Sequence, residues 1–255
     1  MMALIVAGFA IFSYLGSSQT NPVTGESQRV AMTTDQEIAM GLQAAPEMAR
    51  QFGGTVSGPE AAMVSSMGEF IVRNSTAKSA PYEFEFHLLA DRKTVNAFAL
   101  PGGQIFITRA LLERLQTQGQ LAGVLGHEIG HVIERHSAEH MAKQQLTQGL
   151  TTAAVLASES ATAGMVAQAV GQMVNMKYGR EDELESDEWG VRLMVESGFD
   201  PISLIGVMKI LAEASGGGNR PEFMSTHPNP GNRIERIRET IATAYPDGLP
   251  EGLKP

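Results

Sequence analysis

Cysteine is absent from the 255-residue sequence, which excludes disulfide bonds and thiol chemistry. Basic residues are outnumbered, with 19 Lys and Arg against 28 Asp and Glu, and the formal net charge is −9. Because no basic cluster offsets this acidity, the composition argues against nucleic-acid binding. The length and the ordinary hydrophobic content of 43% predict one globular domain preceded by a short leader.

The leader, residues 1–16, is apolar and uncharged but falls short of the roughly 20 residues that a membrane-spanning helix needs. It lacks the basic segment of a signal peptide and an A-x-A-like cleavage site. Three interpretations are open: an uncleaved membrane anchor, an anchor whose basic residues precede an internal Met1, or a core segment. We favour the anchor, because no packing partner follows directly. Residues 17–30, with Asn-Pro and Thr-Gly turn signals, predict a polar linker, and residues 31–255 predict the folded domain.

The central motif is His127-Glu128-Ile129-Gly130-His131, whose apolar flanks predict a semi-buried helix. A helix turns about 100° per residue, so side chains four residues apart share a face. His127 and His131 are therefore placed to bind one metal ion, with Glu128 beside them as the general base of a zinc hydrolase. Two histidines and a glutamate are poor choices for a buried face unless a cation satisfies them.

A catalytic zinc ion usually has three protein ligands. Two more histidines, His136 and His140, follow in the sequence, but an uninterrupted helix would turn both away from the metal. No Gly or Pro lies between His131 and His136, so we expect the helix to continue and predict a solvated face for His136, Glu139 and His140. A further histidine, His87, lies in a predicted strand and is interpreted as a structural or surface residue.

The third ligand is predicted in the acidic run 180–190, which heads a second helix. Acidic residues in a first helical turn often only complement the helix dipole. Glu183 and Asp187, however, are four residues apart and lie near the apolar Leu184 and Val191, so we expect their shared face to point inward. A buried pair of carboxylates needs a cation partner. We therefore predict that Glu183 is the third zinc ligand and that Asp187 orients a ligand histidine.

These motifs resemble those of the M48 family of zinc metallopeptidases. The family's second motif, E-x-x-x-D, corresponds to Glu183-Leu-Glu-Ser-Asp187, with Ser186 at a position that is usually Ala. Residues 96–103, Asn-Ala-Phe-Ala-Leu-Pro-Gly-Gly, resemble the edge-strand segment before the family's catalytic helix. Residues 225–234 resemble its H-P-x(4)-R-[IL] segment, which places His227 and Arg233.

The resemblance implies a mainly helical α+β fold, a zincin-like domain of the gluzincin type with one small β-sheet. It implies one Zn²⁺ ion per chain with three protein ligands, His127, His131 and Glu183. Glu128 would be the general base, and Arg233, with His227 in one of the roles open to it, would stabilise the anionic intermediate of peptide hydrolysis. Two other roles for His227 are open, a fourth ligand that holds the enzyme latent or an ordinary turn histidine. We favour the catalytic role.

Substrate binding is implied by the same resemblance. In zinc peptidases of this class an edge strand beside the metal pairs with the substrate backbone, and Asn96-Ala97-Phe98-Ala99 matches that strand. The small side chains of Ala97 and Ala99 would let an extended peptide approach closely. Main-chain pairing of this kind gives binding with weak sequence preference. Without the resemblance, an ordinary hairpin is an equally good interpretation.

The implied function is zinc-dependent endopeptidase action on unfolded or damaged proteins of the bacterial cell envelope, with the domain in the periplasm and residues 1–16 on the membrane. The competing class is a metal-stabilised, non-cleaving binding or chaperone-like module, which has no use for a general base at Glu128. A third class, hydrolysis of a non-peptide amide, is disfavoured by the peptide-like edge strand. The sequence carries no signal of oligomeric state.

One long segment has no clear pattern. Residues 149–174 are weakly amphipathic and are interrupted by Glu159, so they are not a membrane span. We interpret them as one or two helices in the core, with a lid or a membrane-proximal surface as the alternative. Residues 216–218, Gly-Gly-Gly, predict a flexible link.

Overall fold

The structure is a computed structural model and describes residues 1–157, 179–215, 223, 227 and 231–255. As predicted, the described chain is mainly helical with little sheet. The helices are α1 (Met2–Gly16), α2 (Thr34–Gln51), α3 (Pro59–Arg73), α4 (Arg109–Leu112), α5 (Gln118–Ile133), α6 (His136–Ala157), α7 (Arg180–Glu196), α8 (Ile202–Ser215) and α9 (Arg233–Ala244). The strands are β1 (Ser18–Thr20), β2 (Ser27–Arg29), β3 (Glu85–Leu89), β4 (Ala97–Ala99) and β5 (Gln104–Thr108), and a 3-10 helix spans Thr76–Ser79.

A three-stranded sheet lies beside α5 and has the order β3-β5-β4. The central strand β5 pairs in parallel with β3 and antiparallel with β4. Strand β4 is therefore at an edge of the sheet, as predicted for residues 96–99. All three residues of β4 are buried: Ala97 and Ala99 lie in the core cluster that includes α5, and Phe98 packs on the other face of the sheet with Phe52 and Phe106.

Glycines allow α5 and α7 to pack with their backbones in near contact. A Cβ atom on Gly130 would lie 2.9 Å from the Cβ of Trp189 and 3.1 Å from the Cα of Ser186. One turn earlier, a Cβ on Gly126 would lie 3.4 Å from the Cα of Gly190. At Gly130 a side chain would displace its neighbours, whereas at Gly126 a Cβ would just fit. The two helices that carry the predicted ligands are thereby held face to face.

The prediction that the helix continues past His131 to His136 is wrong. Helix α5 ends at Ile133, and Arg135 adopts a left-handed backbone conformation with φ of 57°. A second helix, α6, then begins at His136. For a residue with a side chain this conformation costs on the order of 1–2 kcal/mol, so other contacts must hold it.

Those contacts come from the buried guanidinium of Arg135. Its Nε donates to Glu37 Oε1 at 2.9 Å, one Nη donates to the carbonyl of Met32 at 2.8 Å, and the other donates to Gln19 Oε1 at 3.2 Å. The partners are about one hundred residues away in the sequence. The break is thus set by tertiary contacts rather than by a Gly or Pro.

Residues 17–30, predicted as a polar linker, instead contain an ordered hairpin. Strands β1 and β2 pair antiparallel, with Ser18 opposite Arg29. Two side chains from this hairpin reach the end of α5: Asn21 Nδ2 donates to the carbonyl of Ile133 at 2.8 Å, and Gln28 Nε2 donates to that of Glu134 at 2.6 Å. The hairpin therefore caps helix carbonyls that have no partner within the helix.

The leader forms α1, which packs along α6 and is mostly exposed, with only Ala10 buried. None of the helices in the described ranges is long and apolar enough to cross a membrane. Within the predicted segment 149–174, α6 continues as far as Ala157; residues 158–174 lie outside the described residues. The predicted link at 216–218 also lies outside them, as do residues 225, 226 and 228–230 of the last predicted motif.

Candidate active site

The three predicted zinc ligands come together between α5 and α7. His127 Nε2 and His131 Nε2 are 3.1 Å apart on one face of α5, as the spacing of four residues predicts. From α7, the carboxylate of Glu183 places Oε2 at 3.6 Å from His127 Nε2 and Oε1 at 3.5 Å from His131 Nε2. All three side chains are at least 98% buried.

A fourth residue, His227, joins the same cluster. Its Nδ1 lies 2.9 Å from Glu183 Oε1, 3.2 Å from His131 Nε2 and 3.4 Å from His127 Nε2. Its ring stacks on that of Phe223, with centroids 4.3 Å apart. One ligand atom from each of the four residues lies within 4.8 Å of the others, so the geometry puts His227 among the metal-binding groups.

The donor set fits zinc. Imidazole nitrogen and carboxylate oxygen are ligands that zinc takes in catalytic sites. Burial opposes ionisation of Glu183, but the imidazole of His227, the imidazole of His127 and the guanidinium of Arg233 outweigh it, so the pKa of Glu183 is lowered. Burial lowers the pKa of His131 well below its usual value, and a neutral imidazole is the form that ligates metal. The ionised carboxylate of Glu183 and the neutral imidazole of His131 therefore lie together in forms that bind zinc.

Glu128 lies beside this cluster and is fully buried. Within the described part of the chain, neither of its carboxylate oxygens has a hydrogen-bond partner, and Oε1 is 3.7 Å from His227 Nε2. Burial raises the pKa of the Glu128 carboxyl. A buried carboxylate that accepts no hydrogen bond destabilises the fold, so its presence indicates a role in ligand binding or in a reaction. This environment is suited to a proton acceptor.

Asp187 and Arg233 contact the predicted ligands His127 and Glu183. Asp187 Oδ1 is 3.0 Å from His127 Nδ1, the contact predicted for an orienting carboxylate. Arg233 donates to both oxygens of Asp187, at 2.7 and 2.6 Å, and its third nitrogen is 3.0 Å from Glu183 Oε2. Burial would raise the pKa of Asp187, but the ion pair and hydrogen bonds with Arg233 and the hydrogen bond with His127 hold it at about 2.

The position of Arg233 bears on its predicted role. All three of its side-chain nitrogens face the carboxylates of Asp187 and Glu183, so the guanidinium neutralises the residues around the metal site. Stabilisation of the anionic intermediate by Arg233 stays a prediction.

Sequence reasoning missed His136. The predicted solvated face is wrong for this residue: its ring is buried, and Nδ1 lies 2.9 Å from Nδ1 of the ligand His131. His140 is half-buried and 2.6 Å from Asp182 Oδ2. No local signal could have placed His136 there, because its approach depends on the left-handed Arg135.

The predicted substrate strand lies next to the metal cluster. Ala99 of β4 and His131 line the same small cavity. At the other end of the strand, the carbonyl of Val95 accepts a hydrogen bond from the backbone N–H of Phe223 at 3.2 Å. His87 is away from this region: it stacks on Phe106 and bonds Gln104 at 2.8 Å, consistent with a structural role.

Two histidines one turn apart, a glutamate between them in the sequence and a second glutamate from a neighbouring helix define a metallopeptidase of the gluzincin type. The chain belongs to peptidase family M48, whose sequence profile matches residues 59–241. This confirms the predicted family, its zinc dependence and the predicted class of enzyme, a zinc metalloendopeptidase.

Among its relatives are two named peptidases of greater length. The Beta-barrel assembly-enhancing protease of Escherichia coli (strain K12) is 30% identical over 252 residues, which cover 93% of this chain and 50% of that protein. The Mitochondrial metalloendopeptidase OMA1 of Schizosaccharomyces pombe is 28% identical over 244 residues, 94% of this chain and 71% of that protein. The chain thus spans about half the length of the bacterial relative.

Proposed function

We propose that this metallopeptidase cleaves unfolded or damaged proteins of the bacterial cell envelope, with zinc held by His127, His131 and Glu183. The convergence of these three side chains beside the buried carboxylate of Glu128, which accepts no hydrogen bond within the described part of the chain, carries the proposal. The envelope as its location is supported by the name of the bacterial relative, which refers to β-barrel assembly.

Each residue has a separate task in the proposed reaction. Zinc, when bound, lowers the pKa of a water molecule and polarises the scissile carbonyl group. Glu128 accepts the proton of the attacking water and delivers it to the leaving amine. Asp187 fixes the ring of His127, and Arg233 holds Asp187 and Glu183 in place. Residues 96–99 bind the substrate backbone at the edge of the sheet.

His227 is proposed to hold the enzyme in a latent state. Its Nδ1 lies within hydrogen-bond distance of Glu183 and of both ligand histidines, which supports the fourth-ligand role over that of a catalytic donor. The backbone contact between Phe223 and Val95 supports the same view, because it lies directly beside the segment 96–99 where a substrate would pair. Activation would then require both residues to leave the site.

The chain is proposed to meet the membrane through residues 1–16, with residues 17–30 joining this segment to the catalytic domain at 31–255. Residues 1–16 and 144–157 of the packed helices α1 and α6 contain no charged side chain. Large apolar side chains are exposed on both helices: Met2, Leu4, Ile5, Phe9, Ile11, Phe12, Leu15, Leu150, Val155 and Leu156. An exposed apolar surface on two adjacent helices is suited to lipid.

Digestion of unfolded casein by the full chain tests the enzymatic part of the proposal. We expect cleavage that a chelator abolishes and added zinc restores, weak for the wild type and stronger for His227→Ala, which lacks the proposed fourth ligand. Glu128→Gln is the matched control, since it retains the proposed ligands but loses the general base, and should reduce turnover by several orders of magnitude. Zinc binding without cleavage by either the wild type or His227→Ala would favour the non-cleaving module. Comparable cleavage by Glu128→Gln would refute the assigned base.

A further inference from the structure

The ligand histidine His131 uses both of its ring nitrogens. Its Nε2 faces the cluster of metal-binding atoms, and its Nδ1 lies 2.9 Å from Nδ1 of His136. The other nitrogen of His136, Nε2, lies 3.0 Å from Oε2 of Glu185. The side chain of His136 is 2% exposed, whereas that of Glu185 is 55% exposed. A chain of contacts therefore leads from the metal site to the surface.

Ligation determines the direction of each hydrogen bond in this chain. A histidine nitrogen that binds zinc carries no proton, so neutral His131 carries its proton on Nδ1. That N–H must donate to Nδ1 of His136, which is then unprotonated. His136 carries its own proton on Nε2 and donates it to the carboxylate of Glu185. One consistent set of tautomers satisfies all three side chains with both imidazoles neutral.

We propose that His136 is a positioning residue that fixes the tautomer and the ring orientation of His131, and that Glu185 fixes the tautomer of His136. The inference rests on the proposed ligand role of His131. The two ligand histidines then differ: His127 donates to the carboxylate of Asp187, and His131 donates to a neutral imidazole. Partners of this kind set ligand orientation and metal affinity in other metal sites.

The contact depends on the break between α5 and α6. His136 is the first residue of α6, and the left-handed Arg135 turns the chain so that its ring meets His131 from the side opposite the metal cluster. The hydroxyl of Ser186, at the position where the family usually has Ala, is 3.4 Å from the same Nδ1 of His136. This distance is too long for a strong hydrogen bond, so His131 is the main donor.

Zinc affinity of His136 variants tests the inference, measured by competition with a chromophoric chelator. His136→Leu keeps the apolar volume but removes the acceptor, and should weaken zinc binding roughly 10–100-fold. His136→Asn should restore much of the affinity, because its Oδ1 lies where Nδ1 lies and accepts the same hydrogen bond. Ser186→Ala and His87→Leu, which leave the acceptor in place, should bind zinc like the wild type.

Denaturant unfolding of the metal-free variants separates positioning from folding. Unchanged zinc affinity in folded His136→Leu would overturn the inference, and so would an Asn variant as weak as the Leu variant. If His136→Leu does not fold, ¹⁵N NMR of the zinc-loaded wild type decides. We expect a proton on Nε2 of His136 and none on its Nδ1; the opposite tautomer would overturn the inference.

The same titration distinguishes this inference from the proposed ligand set. His131→Ala should lose zinc binding far more completely than any variant of His136. If His131→Ala binds zinc like the wild type, the ligand assignment itself fails, whatever the His136 variants do. If His131→Ala loses zinc and His136→Leu does not, only the positioning role fails.

Discussion

At the scale of single residues, two glutamates on α7 have different proposed roles: one binds zinc, and the other supports a histidine behind a zinc ligand. Glu183 is fully buried against the ligand histidines, whereas Glu185 lies two residues on, is 55% exposed, and contacts the outer nitrogen of His136. We expect Glu183→Ala to abolish stoichiometric zinc binding and Glu185→Ala to have a small effect, because the buried ring of His136 keeps its other contacts. Metal analysis after dialysis measures both. Equal zinc contents would refute the ligand assignment, and the reverse order would transfer it to Glu185.

Whether His227→Ala raises or lowers the rate of peptide cleavage decides the role of His227. If His227 occupies a ligand position, His227→Ala opens that position and should raise the rate of peptide cleavage. If it is instead the catalytic donor that the sequence favours, the same variant should lose about 10²-fold in turnover. Cleavage of one quenched-fluorescence peptide under zinc saturation measures the difference. Arg233→Ala is measured alongside it. Its turnover should fall in either case, because the change removes the contacts that hold Asp187 and Glu183 in place.

Helix periodicity was sufficient to find most of the site from the sequence. His127 with His131, and Glu183 with Asp187, each lie four residues apart, and each pair lies on the inward face of its helix. The same reasoning failed for His136, because it assumed that only Gly or Pro ends a helix. The left-handed Arg135 is fixed by Glu37, whose proximity depends on the whole fold.

At the scale of elements, the N-terminal segment divides into two parts with different tasks. Helix α1 contacts α6 and is largely exposed, whereas the β1–β2 hairpin caps the end of α5 through Asn21 and Gln28. The strands of this hairpin are three residues long and polar, so their sequence resembles a linker. Their pairing is stabilised by helix carbonyls more than one hundred residues away.

Truncation distinguishes these two parts. Removal of residues 1–16 should leave a folded domain with the zinc content and the peptidase activity of the full chain. Removal of residues 1–30 should also take away the caps of α5, each a buried hydrogen bond whose loss costs about 1–3 kcal/mol. We expect a markedly lower free energy of unfolding for the shorter chain in urea, and a lower zinc content. Equal stability of the two truncated chains would show that the hairpin has no such role.

At the scale of the whole molecule, α6 connects the metal site to the apolar surface. It begins at His136, against a zinc ligand, and its described part spans 22 residues to Ala157, with the exposed Val155 and Leu156 in the last turn of that range. A helix of that length is about 33 Å long. A membrane contact at its far end would therefore keep the active site well away from the lipid, where unfolded chains can reach the edge of the sheet.

The membrane contact is tested by charge placed on this surface. Leu42 on α2 is the matched control for Leu156 on α6, because the two residues are 52% and 53% exposed. Leu156→Glu should reduce flotation of the full chain with phosphatidylglycerol-containing vesicles, since it puts a carboxylate into lipid. Leu42→Glu, with the same change of charge, should bind like the wild type. If deletion of residues 1–16 abolishes flotation while Leu156→Glu does not, α1 alone makes the contact. If neither change affects it, the protein meets the membrane elsewhere or not at all.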